Sequence, residues 1–391
     1  MPRIRYSMTS KQPSNAAERI LRVLMTSTSY PSTLEDWRGV FIRHLAESVA
    51  RRNDIRVELW APPGPCKGHV IRTSREGENR RLSRLMQNGG IAHLLRTRPL
   101  LGVIAGARLL YDLHSAYRRS DCDIYHVNWL QCAIPLPADK KPLLVTVLGS
   151  DMQFLRLPGV KSMLRRTFRS RSVAICPNAD WMQPELERRF ADVARIVPVP
   201  FGIDPCWFEL ERKRPPGQTP EWLAVTRLTR AKLGTLLEWC EPLFSGTHRE
   251  LHLIGPMQES ITLPDWIHYH GPASPKELCE KWFPKATGLI TLSQHAEGRP
   301  QVMLEAMAAA IPIIASRLPA HETIVRDNQT GFIVDDASQL ASRMERVEDP
   351  ETGSKLGLQA RKEMRGTPGT WDDAADRFQA IYLQLLENQA P

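Results

Sequence analysis

The chain has 391 residues, 42% apolar and 24% charged, which argues against a largely disordered or collagen-like chain and suggests two or three domains. Its net charge of +9 is unevenly placed: residues 1–200 carry 32 Lys/Arg against 17 Asp/Glu, and residues 201–391 carry 20 against 26. Seven scattered cysteines form no C-x-x-C and no paired Cys/His spacing, a pattern of reduced cytosolic thiols without a zinc site.

Residues 1–19 are polar and basic and read as a disordered tail. The apolar run that follows is interrupted by Arg22 and is too short for a signal-peptide core. The longest apolar stretch, 99–113, is broken by Arg108 and is too short to span a bilayer, so a soluble or peripheral protein is expected. Strands are predicted at 22–30 and 56–62, with a helix at 39–52 between them, spaced by Val40, Ile42, Leu45 and Val49. Strands follow at 124–129, 142–149, 172–178 and 194–200, with helices at 160–170 and 182–190. His126 and Asn128 share one side of their strand, a packing pattern, and the D-x-D of 121–123 reads as a solvated linker between helix and strand. Residues 201–222 are rich in Pro and turn residues and read as a domain linker.

The pattern then restarts, with strands at 222–228, 250–255, 267–271, 288–293, 311–316 and 330–335 and an amphipathic helix at 371–388. Strands alternating with helices imply parallel sheets covered on both faces, and two such domains would enclose a cleft. Arg227 closes one strand and Lys232 follows five residues later. Ligands of open α/β sheets bind beyond the carboxyl ends of strands, where two cations can neutralise a diphosphate. In "EGRPQVMLEAMAAAIPIIAS" (297–316), Gly298 and Pro300 mark a turn into a helix, with Pro300 at the first helical position. Glu297 then sits in the loop and Glu305 one to two turns inside the helix. A helix N-terminus suits phosphate, and a carboxylate accepts two hydrogen bonds from a diol. The two carboxylates would flank a phosphate site, one holding a sugar and the other a ribose.

These residues resemble the retaining glycosyltransferases of family 4, which have the GT-B architecture. The likeness covers about 20–340 and rests on five segments in order: Gly39 before a helix; Leu148, Gly149, Ser150 and Asp151; Pro200, Gly202, Ile203, Asp204 and Phe208; Arg227 and Lys232; and Glu297 to Ala315. It implies two Rossmann-like doubly wound α/β domains facing across a cleft. They would be an acceptor-side domain at 20–200 and a nucleotide-sugar domain at 201–370, with 371–391 packing back on the first. It also implies roles. Arg227 and Lys232 would grip the donor diphosphate, Glu297 the sugar hydroxyls and Glu305 the ribose. Backbone N–H groups at Val302 and Met303 would meet the phosphates beside Gly298. Gly39 would let its loop approach the diphosphate, and Gly255 would pass near the base. Asp151, in a loop expected to face the cleft, is a candidate acceptor contact, with a helix N-cap as the equal alternative. The sequence departs from the family at Leu148, where a histidine is usual, and at Arg299 and Pro300, Ala310, Leu233 and Pro319-Ala320.

The implied activity is hexosyl transfer from a nucleotide sugar to a glycan or lipid-linked acceptor in envelope or exopolysaccharide synthesis, with no cofactor and no metal. A nucleotide-sugar epimerase or hydrolase, and a basic nucleic-acid-binding protein, are the alternatives. No aromatic-interleaved basic repeat supports nucleic acid. The segment 71–110 interleaves eight arginines with apolar residues and suggests an anionic membrane surface as partner, at the inner face of the cytoplasmic membrane.

Overall fold

The computed structural model describes residues 20–213 and 217–388; the tail expected at 1–19 lies outside them. Seven parallel strands form the first sheet: β1 Leu21–Thr26, β2 Ile55–Trp60, β3 Val70–Arg72, β4 Ile124–Asn128, β5 Leu143–Val147, β6 Val173–Pro177 and β7 Arg195–Ile196. Their order is β3-β2-β1-β4-β5-β6-β7. Six more form the second: β8 Glu221–Val225, β9 Glu250–Ile254, β10 Ile267–Tyr269, β11 Gly288–Thr291, β12 Ile313–Ser316 and β13 Gly331–Val334, ordered β10-β9-β8-β11-β12-β13. Successive strand residues face opposite sides, so each sheet feeds two cores. Leu24 of β1 enters one core while Val23 and Met25 enter the other.

The segment expected to be an irregular linker is already part of the second domain. Ile203, Trp207, Phe208 and Leu210 are buried in its core, and Pro205–Glu209 is helical, capped by Asp204. The chain crosses between domains at 201–203 and returns at 369–371. There Ile203 bridges Thr370, and its N–H donates to Gly369 O at 2.9 Å. The two crossings therefore lie side by side, which is the geometry of a hinge.

The C-terminal helix Trp371–Glu387 lies on the first domain, where Phe378, Ile381 and Tyr382 pack with Ile42, Leu45 and Val49. Each such burial stabilises by roughly 1.5–3 kcal/mol. His126 is fully buried and anchors this helix, its ring nitrogens meeting Tyr382 Oη at 2.5 Å and Thr146 Oγ1 at 2.8 Å. Asp121 and Asp123 of the D-x-D both pair with Arg22.

The basic segment becomes β3 and three helices, Glu76–Gln87, Gly90–Thr97 and Pro99–Arg119. Arg81 is paired with the buried Asp112 at 2.7 Å while its side chain stays partly exposed, and Leu82 is buried. Leu95 is exposed, and the most exposed aliphatic residues are Leu100, Leu101, Val103 and Ile104 at the start of the third helix, with Leu100 80% exposed. Among the described residues no helix is long and apolar enough to cross a membrane.

Candidate active site

The carboxyl ends of β8 and β11 carry two loops that are stitched together. Gln294 N–H donates to Ala231 O at 2.9 Å, and Thr235 N–H donates to Leu292 O at 3.4 Å. The first loop leads through Arg227 to the short helix Arg230–Leu233, capped by Thr229. The second carries Glu297 to the helix Gln301–Ala308. Their meeting brings Lys232 Nζ to 2.5 Å from Glu297 Oε1, both side chains about nine-tenths buried at 12% and 11% exposure. Burial lowers the Lys232 pKa, and Glu297 opposes that shift. Arg227 has no carboxylate partner among the described residues; its guanidinium lies 5.8 Å from the ring centre of Trp37, which comes from the first domain. A half-buried cation without a counter-charge suits an anionic ligand.

The helix Gln301–Ala308 starts one residue later than expected. Pro300 is its N-cap, with φ −62° and ψ 109°, and Gln301 is the first helical residue. Met303 is fully buried and its N–H donates to Pro300 O at 3.2 Å, which removes it from the expected phosphate donors. The N–H groups of Gln301 and the half-buried Val302 make no hydrogen bond among the described residues and are the free donors of this terminus. Glu305 lies one turn after Gln301, whose side chain donates to Gly202 O at 3.1 Å, so this helix face looks toward the hinge. Burial, with a smaller contribution from Asp204, pushes the Glu305 carboxyl up to about 7.

The two domains meet at backbone contact across the cleft. A Cβ on Gly298 would stand 2.2 Å from Leu148 O, and one on Gly149 (φ +102°) would stand 2.4 Å from Gly298 Cα. Trp181 Nε1–H of the first domain donates to Gly298 O at 2.8 Å. Gly39 and Gly255 both have positive φ and sit against backbone rather than open space. A Cβ on Gly39 would meet Tyr30 N at 2.7 Å, and one on Gly255 would meet Thr226 O at 1.7 Å. Each lets a loop beside the cleft pack tightly.

Asp151 does not face the cleft. It is fully buried, and its carboxylate accepts from Leu130 N–H at 2.6 Å and Leu148 N–H at 2.7 Å. It ties the loops after β4 and β5 together, and burial pushes its pKa up to about 6. This is a positioning role for the loop that carries Gly149, not the acceptor contact expected from sequence.

Three site residues are not singled out by sequence reasoning: Trp37, Trp181 and His321. His321 is fully buried; its Nδ1–H donates to Ser316 O at 2.8 Å, and its Nε2 has no hydrogen-bond partner among the described residues. Its pKa is lowered chiefly by burial and senses both Glu297 and Lys232, so a neutral imidazole with a free acceptor nitrogen adjoins the ion pair. The only signal in the sequence is its place four residues after Arg317, behind β12.

The architecture is the GT-B fold. Sucrose-phosphate synthase from Thermosynechococcus elongatus superposes with a TM-score of 0.70 at 16% identity, covering 94% of this chain and 100% of that one. An Anabaena protein solved with UDP and glucose gives 0.60 at 13% identity, covering 93% and 100%. Residues 219–349 match the family model described as group 1 glycosyl transferases. Among curated proteins, the chain is 25% identical over 148 residues to D-inositol 3-phosphate glycosyltransferase from Thermobifida fusca, covering 36% of this chain and 33% of that one. It is 26% identical over 138 residues to spore coat protein SA from Bacillus subtilis, covering 34% and 35%. The chain thus spans about a third of the length of the curated relatives it matches.

Proposed function

We propose that the chain is a retaining glycosyltransferase of family 4, transferring a hexose from a nucleotide sugar to a glycan or lipid-linked acceptor without a metal. The observation that carries this reading is the Lys232–Glu297 ion pair beside Arg227, which has no counter-ion among the described residues, at the carboxyl end of the second sheet. The departing diphosphate gains charge as the glycosidic C–O bond breaks. Arg227, Lys232 and the free N–H groups of Gln301 and Val302 are preorganised to stabilise that charge. Glu297 fixes Lys232 and holds sugar hydroxyls. With Asp151 buried, the acceptor proton passes to a leaving phosphate oxygen as the new C–O bond forms on the same face. The Anabaena protein of the same fold, solved with UDP and with UDP-glucose, makes UDP-sugars the first donors to test. Release of nucleoside diphosphate that requires an acceptor supports transfer; release or sugar conversion without one identifies a hydrolase or epimerase.

The site's cations perform the task a divalent ion performs elsewhere, so turnover is expected to persist in EDTA. Activity abolished by EDTA and restored by Mg²⁺ or Mn²⁺ would contradict it.

The two glutamates are expected to separate. Glu305→Gln weakens nucleotide binding, whereas Glu297→Gln mainly slows sugar transfer. With its pKa near 7, Glu305 is mostly protonated at pH 6 and ionised at pH 8, when it accepts both hydrogen bonds of a ribose diol. Calorimetry with a nucleotide sugar should therefore show tighter binding at pH 8 than at pH 6 in wild type and a flat profile in Glu305→Gln. A flat wild-type profile would remove the ribose role.

The acceptor side is read as membrane-facing, in envelope or exopolysaccharide synthesis. Leu100, Leu101, Val103 and Ile104 are exposed next to Arg96 and Arg98, an apolar and cationic patch that suits an anionic leaflet. Sedimentation with anionic vesicles should weaken with salt and fall when Leu100 and Ile104 are both changed to Ser. Equal sedimentation with neutral vesicles would contradict the membrane role and leave the transferase reading standing.

A further inference from the structure

The geometry points to a divalent-cation site, of a chemistry suited to Zn²⁺, at the amino end of the second sheet, formed by Glu221, Glu250 and His252. Glu221 and Glu250 are the first residues of β8 and β9 and are register partners, and His252 follows two residues along the same face of β9. One ligand atom from each of the three lies within 4.8 Å of the others. His252 Nε2 is 3.4 Å from Glu221 Oε2 and 3.3 Å from Glu250 Oε2. Zinc–nitrogen and zinc–oxygen bonds near 2.0–2.2 Å in a tetrahedron place neighbouring ligand atoms roughly 3.3–3.5 Å apart. Those two separations therefore match the edges of a tetrahedral site.

The histidine supplies the independent observation. It is 6% exposed, and among the described residues its Nε2 has no hydrogen-bond partner despite the two nearby carboxylates. Its Nδ1 lies 3.0 Å from His270 Nε2. When Nδ1–H donates to His270, the Nε2 lone pair faces the carboxylates. That is repulsive without a cation and is the tautomer a metal ligand needs. Burial lowers the His252 pKa, and the two carboxylates oppose that shift. Trp282 packs on both rings, 5.3 Å from His252 and 4.2 Å from His270. The Glu221 carboxylate is held from behind, Gln218 donating to Oε1 at 2.8 Å.

Lys285 is the competing charge. Its ammonium contacts Glu221 Oε2, with the side chain 36% exposed, so an arriving ion can displace it toward solvent. The Glu250 side chain is 45% exposed and opens a path for entry. The cluster lies at the opposite end of β8 from Arg227 and takes no part in sugar transfer. Cysteine–histidine spacing gives no sign of it, because its ligands are two carboxylates and one imidazole brought together only by strand pairing.

The test uses the full chain stripped with EDTA, returned to metal-free buffer and dialysed against Zn²⁺. One ion per chain is expected. Glu250→Gln and His252→Gln should each weaken retention at least tenfold, and Lys285→Ala should tighten it by removing the competing ammonium. Co²⁺ taken up in place of Zn²⁺ should show ligand-field bands without a thiolate charge-transfer band. If His252→Gln fails to fold, the surface-accessible Glu250→Gln and Lys285→Ala decide the matter. No retained ion in wild type, retention equal in wild type and Glu250→Gln, or a thiolate band assigning the ion to cysteines would overturn the site.

Discussion

Gly298→Ala is expected to reduce turnover severely while each domain stays folded. The added Cβ would stand 2.2 Å from Leu148 O, a backbone atom that cannot swing aside. Relief requires the domains to part at the contact that also receives the Trp181 indole N–H. Overpacking of this kind costs about 1–3 kcal/mol. Here the strain falls on the closed arrangement, because Gly298 and Leu148 belong to different domains. A loss of roughly 10- to 100-fold in kcat is expected, since misplacing reacting groups by about 1 Å has effects of that order. The thermal midpoint should move little, since the domain cores are untouched. Wild-type kcat in Gly298→Ala would show that this contact is not part of the productive state. Gly149→Ala is the mirror test, with a Cβ 2.4 Å from Gly298 Cα and a positive φ that adds strain of its own.

Arg227→Ala and Lys232→Ala are each expected to cost about 1.5–3 kcal/mol of donor or transition-state binding, roughly 10- to 150-fold. The two should differ in kind. Arg227 has no counter-ion among the described residues, so its loss should remove a ligand contact and little else. Loss of Lys232 also strands the nearly buried Glu297 carboxylate, so stability should fall as well. Lys232→Ala should therefore lower the thermal midpoint of the ligand-free protein more than Arg227→Ala does. Wild-type turnover in both variants at subsaturating donor would remove the diphosphate role.

The two-sheet fold was legible because parallel strands buried on both faces must be continuously apolar. The β-branched run through Ile313 and Ile314 and the apolar run through Leu143–Val147 declare themselves. The three-residue edge strand β3 is not among the predicted strands. The helices Ala337–Glu348 and Pro350–Gly366 also went unassigned, although Asp336 and Asp349 cap them as the sequence allows. In the basic segment, nothing local indicates that Asp112 takes Arg81 thirty-one residues away. In the site, Arg227, Lys232 and Glu297 were legible from their place after strands and from the family pattern. The Asp151 role was not, since burial by the β4 loop is a tertiary fact. Trp181 and His321 depend on contacts across domains and behind β12 that no spacing encodes.

The carboxyl end of the second sheet is expected to bind the diphosphate of a nucleotide sugar. Isothermal titration of the full chain with the nucleotide sugar that most raises its melting temperature, first in wild type and then in Arg227→Ala, tests it most directly. One saturable site in wild type, weakened at least tenfold in the variant, is the predicted result. A panel in which no nucleotide sugar raises the melting temperature, or equal affinity in wild type and Arg227→Ala, would contradict it.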